Sequence, residues 1–346
     1  MEIYDAILDP VELTGIAREN LADEDLPENQ FLLERWFGNN LVDDVEVAFN
    51  GRTNRDFTHA MRFRAWTTEA PIGRRYGRTR RFGELAPLTE KYPMTEYDRV
   101  RQRRRARNEA VEAAREETYD DIATGVRAAR ARMELLRADA LVYGSATLAE
   151  GGLQLDADFL RSVNREGTVS NAWSDATNGT PLTDEEGVLD VLSDEEGLGP
   201  ADLIAIMNRN TYRNLRASDQ YRNGLDRVNA PVRLTNDQIN EVREDNDFPE
   251  VIVYNASART HGGTVRKLIP DDFVIHVPRN ARIGETAWGV SAYATEDGLN
   301  LEASFQPGPV AFHARQLDPL VIWTVVDGIG FAVLQDPDAT HSLDVS

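Results

Sequence analysis

The sequence predicts an α+β fold in which long helical and extended stretches are segregated along the chain, and three observations predict it. Between Glu96 and Tyr143 there is no proline and one glycine, Gly125, while apolar or small residues recur at Val111, Ala114, Ile122, Val126, Ala129, Met133, Leu136 and Ala140, the spacing of one helix face. Beyond Gly144, apolar runs at 203–207, 251–254, 273–277, 310–312, 321–326 and 331–334 read as strands. These runs do not alternate with helices in a βαβ repeat, which argues against a doubly wound parallel sheet.

Taken in order, residues 1–49 read as an acidic arm of short helical pieces, with Phe31, Leu32, Leu33, Trp36 and Phe37 as an apolar anchor. Its first 22 residues carry Glu2, Asp5, Asp9, Glu12 and Glu19 and lack the basic and apolar stretches of a secretory signal. No window approaches the 18 or more apolar residues of a membrane span, so the expectation is a protein held in cytoplasm-like solution without a membrane partner. Val45, Val47 and Phe49 then alternate and stop at Asn50-Gly51, a strong hairpin signal. Residues 50–95 are extended and poor in core residues, punctuated by Pro71, Gly73, Gly77, Gly83, Pro87 and Pro93. A stretch of this length without a core has to pack on something else.

The helix over 96–143 would be a rod of about 70 Å. Its one-sided, Ala-rich stripe is not a coiled-coil heptad. A hairpin follows around Glu150-Gly151-Gly152, and residues 211–222 read as the helix after the first body strand. Thr183-Asp-Glu-Glu-Gly187 and Ser193-Asp-Glu-Glu-Gly197 read as two acidic turns, with Thr183 and Ser193 as helix caps and the acids as solvated groups. They lack the alternating ligands of a calcium loop.

The 346 residues carry 59 acids against 38 bases, a formal charge of -21, and no cysteine. Disulfides, thiolate nucleophiles and Cys-based metal sites are thereby excluded. Only Lys91 and Lys267 are lysines. Self-repulsion on this scale is screened in molar salt, which is the pattern of a halophilic protein. The charge is uneven: residues 1–50 sum to -11 and residues 62–107 to +9. A basic stretch this dense calls for an acidic partner, either nucleic acid or another protein segment.

No phosphate-binding glycine loop, H-E-x-x-H or G-x-S-x-G is present. His59, His261, His276, His313 and His341 are dispersed and read as surface or partly buried residues, so neither catalytic residues, metal nor cofactor is expected. Two arginine clusters stand out instead. Arg62, Arg64, Arg74, Arg75, Arg78, Arg80 and Arg81 on the extended hairpin are candidates for contacts between subunits. Arg99, Arg101, Arg103, Arg104, Arg105 and Arg107 open the long helix and suit either phosphate oxygens or neighbouring carboxylates.

The order of parts resembles the major capsid proteins of tailed viruses, with the Hong-Kong-ninety-seven-type fold, and more specifically the phage lambda major head protein family. The similar pieces are Phe31-Leu-Leu-Glu-Arg-Trp-Phe37, Tyr97-Asp-Arg-Val-Arg-Gln-Arg-Arg-Arg105, Ala140-Leu-Val-Tyr-Gly144 with the hairpin after it, Trp173-Ser-Asp175 with Pro181-Leu182, Ile204-Ala-Ile-Met207 with Tyr212, and Phe331-Ala-Val-Leu-Gln-Asp-Pro-Asp338. Six pieces in the same order span nearly the whole chain. The resemblance implies an N-terminal arm (1–49), an extended hairpin loop (50–95), a peripheral domain (96–180) with its spine helix (96–143), completed by strands near 308–328, and an axial domain (181–307) completed by 329–346.

It further implies a structural, non-enzymatic subunit that assembles with itself as hexamers and pentamers into an icosahedral shell. That shell would enclose double-stranded DNA by non-specific contact, with a portal and decoration or scaffold proteins as further partners. The virion would assemble in the host cytoplasm, and the composition points to a haloarchaeal tailed virus. Two alternatives remain: a cellular nanocompartment shell of the same fold, and an Arg-rich nucleic-acid-binding protein.

Overall fold

The computed structural model describes residues 9–22, 31–44, 46–51, 79–102, 107–225, 233–260, 263–295 and 307–346. In chain order the chain forms helix α1 (Pro10–Ala22), strands β1 (Phe37–Leu41), β2 (Glu46–Gly51), β3 (Thr79–Glu84) and β4 (Ala86–Met94), and helices α2 (Glu96–Gln102) and α3 (Arg107–Tyr143). Then come β5 (Ser145–Glu150), β6 (Leu153–Asp158), β7 (Glu166–Thr168), α4 (Pro181–Glu196), β8 (Leu203–Met207), α5 (Arg209–Ala217), α6 (Asp219–Gly224) and α7 (Asn236–Asp245). The last are β9 (Glu250–Val253), β10 (Ser257–Arg259), β11 (Val265–Lys267), β12 (Phe273–Pro278), β13 (Gly284–Gly289), β14 (Val310–Leu317), β15 (Leu320–Leu334) and β16 (His341–Asp344). The fold is α+β, as the segregated pattern predicts, and α3 carries most of the expected long helix.

Two compact units are present, one from residues 1–47, 82–136 and 285–333, the other from 48–81, 137–284 and 334–346. These breaks differ from the expected ones at 180/181 and 307/308. Strand pairing explains the difference: β7 pairs with β16, and β13 pairs with β15, so each joins the sheet of its partner.

The first unit is built on the sheet β1-β13-β15-β14, with β4 also paired to β15. β15 runs antiparallel to β14 from Val310↔Asp327 to Leu317↔Leu320, and antiparallel to β4 from Ile322↔Met94 to Gly330↔Ala86. The sequence predicts two strands here, yet β15 is continuous because neighbours hold its backbone through the polar and glycine residues 327–330. Gly330 sits in a close contact: a Cβ there would lie 2.9 Å from Met133 Cε and 3.0 Å from the Ala287 carbonyl oxygen. α1 covers the edge of β14, where Thr14 Oγ1 donates to the Ala311 carbonyl and accepts from the Ala311 N–H, both at 3.2 Å. α3 seats on the sheet at its single glycine. A Cβ on Gly125 would meet Val326 Cγ2 at 2.8 Å and the Tyr92 ring at 3.3 Å.

The second unit is built on the sheet β7-β16-β12-β8-β9. β8 lies between antiparallel β12 and parallel β9, and all five of its residues are buried, which is why Leu-Ile-Ala-Ile-Met reads as an unbroken apolar run. Helix ends follow local chemistry. Asn208 and Ser218 cap α5 and α6, dividing the single helix expected over 211–222. Thr235 and Gln238 form a reciprocal capping box on α7.

Two turn expectations are corrected. The twin acidic motifs belong to one helix, α4, with Thr180 rather than Thr183 at the N-cap position, where its side chain makes no capping bond, and with Gly197 ending it in the left-handed conformation. Pro181 at the first helical position and the apolar stripe between the two motifs favour continuation through Gly187. Asn50-Gly51 is not a two-residue hairpin turn either: β2 pairs with β3, which begins only at Thr79. Val45 and residues 52–78 lie outside the described residues. Among the described residues no helix is long and apolar enough to cross a membrane.

Candidate functional site

The aromatic anchor of the arm is assembled against α3. Leu33, Trp36 and Phe37 are buried, with Phe31 and Leu32 partly so. The Leu33 N–H donates to Glu134 Oε1 at 2.8 Å. Arg130 donates to Glu34 at 3.1 Å and places its guanidinium 5.1 Å from the Phe31 ring centre. Trp288 Nε1 donates to Asn39 at 3.1 Å, tying the segment after the anchor to β13. Polar positions on α3 thus hold the anchor that the sequence singles out.

β4 joins the first unit's sheet through β15. On β4, Tyr92 donates to Glu90 at 2.5 Å. Thr89 and, from beside β13, Ser291 both donate to the Asp327 carboxylate on β15. Burial nevertheless pushes the Asp327 carboxyl above its ordinary range. Burial together with Glu117 and Asp120 pushes Asp121 on α3 up to about 6, against a hydrogen bond with Thr324.

Of the hairpin arginines, Arg62, Arg64, Arg74, Arg75 and Arg78 lie outside the described residues, and Arg80 and Arg81 fall in β3. Arg99 and Arg101 fall in α2 and Arg107 opens α3, while Arg103, Arg104 and Arg105 lie outside the described residues.

The second unit contains a set of buried charges that the sequence analysis does not predict. Arg243 on α7 donates to both oxygens of Glu185 on α4 at 2.8 and 2.7 Å, to the Tyr221 hydroxyl at 2.7 Å and to the Pro249 carbonyl at 2.8 Å. Burial alone would raise the Glu185 carboxyl, but Arg243, with His276 3.7 Å away, holds it well below its ordinary value. Burial and the Glu185 charge raise the Tyr221 hydroxyl. Its signal was available: Glu185 and Glu196 occupy the same α4 stripe as Val188, Leu189 and Leu192. An acid on an apolar stripe calls for a buried cation.

Two further arginines clamp the segment after the β5–β6 hairpin. Arg161 donates to the Leu141 and Val142 carbonyls at 2.6 and 2.9 Å, capping the C-terminus of α3, and to Glu166. Arg165 donates to the Val191 carbonyl and pairs with Glu195 and Glu196. His276 and His341, distant in sequence, are register partners on β12 and β16 with ring centres 6.3 Å apart. Both are fully buried, more deeply than the surface or partly buried placement expected of the histidines. Burial first, then His276, Arg161 and Arg165, lower His341 to about 3.

Residues 9–345 match the model of a family described as Phage major capsid protein E. No curated protein matches the sequence. Among solved structures, a protein described as the capsid protein of a prophage of E. coli CFT073 matches with TM-score 0.61 at 14% identity, over 96% of this chain and 99% of that one. A phage-related protein from Bordetella bronchiseptica RB50 matches with TM-score 0.56 at 12% identity, over 98% of this chain and 97% of that one.

Proposed function

The chain belongs to the phage major capsid protein E family, and from that premise we propose that it is the shell-forming subunit of a tailed virus, assembling as hexamers and pentamers around double-stranded DNA. The observation that carries this reading is the family match over residues 9–345. The acidic, Lys-poor composition supports a host that keeps molar salt in its cytoplasm, as haloarchaea do.

In this reading the extended hairpin lies across an adjacent subunit, and Arg62, Arg64, Arg74, Arg75, Arg78, Arg80 and Arg81 meet carboxylates there. Arg99 to Arg107 face either packaged DNA or a neighbour. The axial unit meets its copies at the capsomer centre, and a portal completes the shell. What supports the pairing of segments is their opposite charge, -11 over residues 1–50 and +9 over 62–107.

Electron microscopy of the purified protein in molar salt tests the reading. Closed shells are expected, loosening on dialysis to low salt. Small soluble oligomers whose DNA affinity falls steeply with salt would overturn it. A subunit-resolution map with the hairpin folded on its own body would overturn the arm's role alone.

A further inference from the structure

The segment after β6 presents apolar side chains to solvent from a backbone that is pinned underneath. Phe159, Arg161 and Arg165 are buried, whereas Leu160 is 46% exposed and Val163 is 88% exposed. The Phe159 N–H donates to the Gly144 carbonyl at 3.0 Å, and the Ser162 N–H donates to the buried Asp338 carboxylate at 2.9 Å. The Arg161 and Arg165 guanidinium groups hold the same segment to the Leu141, Val142 and Val191 carbonyls. Leu160 is kept in the left-handed region, with φ 56° and its N–H bonded to Asp158 Oδ1 at 2.8 Å. One exposed Val needs no special account. An exposed Val beside a strained, exposed Leu, on a backbone fixed by buried guanidinium groups, is a knob shaped in advance of any contact. Its rim is acidic: Asp158 is exposed, Glu166 is bonded to Arg161, and Glu195 accepts from Asn164 at 2.6 and 2.7 Å.

The same unit carries a surface of opposite character. β10 and β11 form a two-stranded ribbon separate from the five-stranded sheet. Residues 256–268 contain Arg259, Arg266 and Lys267 and no acid. Arg266 pairs with Asp139 and Lys267 with Asp271, at the root of the ribbon. Nearer its turn Arg259 and Val265 are register partners and both are exposed, Val265 to 60%. A two-stranded ribbon is marginal in water by itself and gains from a surface laid against it.

We propose that these surfaces are the two sides of one contact between copies of this chain: Leu160 and Val163 of one copy seat on Val265 of the next, with the acidic rim against Arg259. Complementarity identifies a second copy as the occupant, because each surface sets an exposed apolar residue beside charge and the two charges are opposite. The two surfaces differ, so the contact is head-to-tail, the kind that repeats into a ring when the rotation closes. The inference deepens the shell reading and rests on it, naming surfaces by which the second unit meets its copies.

The lack of cysteine makes the contact directly testable. Full-length Val163→Cys and Val265→Cys chains are mixed before assembly, brought to molar salt and treated with a short bismaleimide. Both positions are exposed, so each variant should unfold like the parent. Covalent dimers are expected from the mixture and from neither chain alone, and a chain carrying both substitutions should give a ladder of longer adducts. In a second measurement, Val163→Arg sets a cation against Arg259 and should raise the protein concentration needed for assembly about tenfold. Adding Arg259→Glu should recover most of that loss.

Shells without adducts in the mixture, or adducts from Val163→Cys alone, would overturn this contact and leave the shell reading standing. Assembly of Val163→Arg at the parent's concentration would overturn it equally. Adducts in rings that never close into shells would uphold the contact and overturn the shell, and the absence of both adducts and shells would overturn both.

Discussion

Asp121 and Asp327 in the first unit and Glu185 and Glu196 in the second are relieved of their buried charge by opposite means. In the first, Asp121 and Asp327 sit among hydroxyls and other carboxylates, so burial raises both and a proton is what relieves them. In the second, Glu185 and Glu196 sit against Arg243 and Arg165, so a guanidinium replaces the proton. The difference shows that net charge says little about how a protein of this composition is held together. What matters is whether each carboxylate taken from water meets a cation, and that sets opposite responses to acid. For Asp121, raised from 3.8 to about 6, the favourable contribution is complete below 3.8 and lost as pH rises through about 6. For Glu185, lowered from 4.5, it is present above 4.5 and lost as pH falls.

The largest effect should come from breaking the guanidinium solution. Arg243→Met leaves Glu185 buried without its main partner and strands the Tyr221 hydroxyl and the Pro249 carbonyl. A loss of about 3–5 kcal/mol in the stability of the second unit is expected, read by chemical denaturation. Adding Glu185→Leu should recover most of it, because a buried ion pair replaced by apolar groups of similar volume is close to neutral. A single substitution costing as little as an exposed one would show that the pair does not carry the unit.

Acid should separate the units next. His341, lowered from 6.5 to about 3, contributes stability that is present above 6.5 and drains away as pH falls toward 3. Burial disfavours the protonated ring, and His276, Arg161 and Arg165 add to that effect. The second unit should therefore lose on the order of 2 kcal/mol across this range, a slope that His341→Leu should flatten. The first unit moves the other way between pH 6 and 4, so exchange measured on β12 and β4 peptides in one titration should cross.

How much of this was legible in the sequence follows the same division. Periodicity located α3, an unbroken apolar run located β8, and the Gly151-Gly152 turn located the β5–β6 hairpin. Periodicity also marked Gly125 as the one break in a long helical stretch, though not as a contact. The failures lie where polar residues are buried. Acids in the first and last turns of α4 read as solvated caps because Glu185 and Glu196 find arginines from α7 and from the 163–165 segment, neither close in sequence. His276 and His341 become neighbours only through the β12–β16 register. Asp327 divides an apolar run into two, and only the ladder with Ala86–Met94 shows it to be one strand. Long-range pairing decides each case, and local pattern does not encode it.

The smallest effect tests the first unit's side of the contrast. Asp327 accepts from Thr89 and Ser291, one hydroxyl on each flank of β15, and its carboxyl is raised by burial that these hydrogen bonds only partly offset. Asp327→Asn keeps an acceptor oxygen in place and removes the charge. Because the raised carboxyl weakens the fold once it ionises, the variant should be more stable than the parent near pH 7.5. The gain should vanish below pH 3.8, where both side chains are neutral. The same exchange at Glu185 should have the opposite sign at neutral pH, since Asn or Gln cannot answer Arg243. Thermal unfolding of Asp327→Asn and Glu185→Gln at two pH values therefore compares the units directly. If both variants were destabilised equally at pH 7.5, the protonated and arginine-paired solutions would be no different in kind.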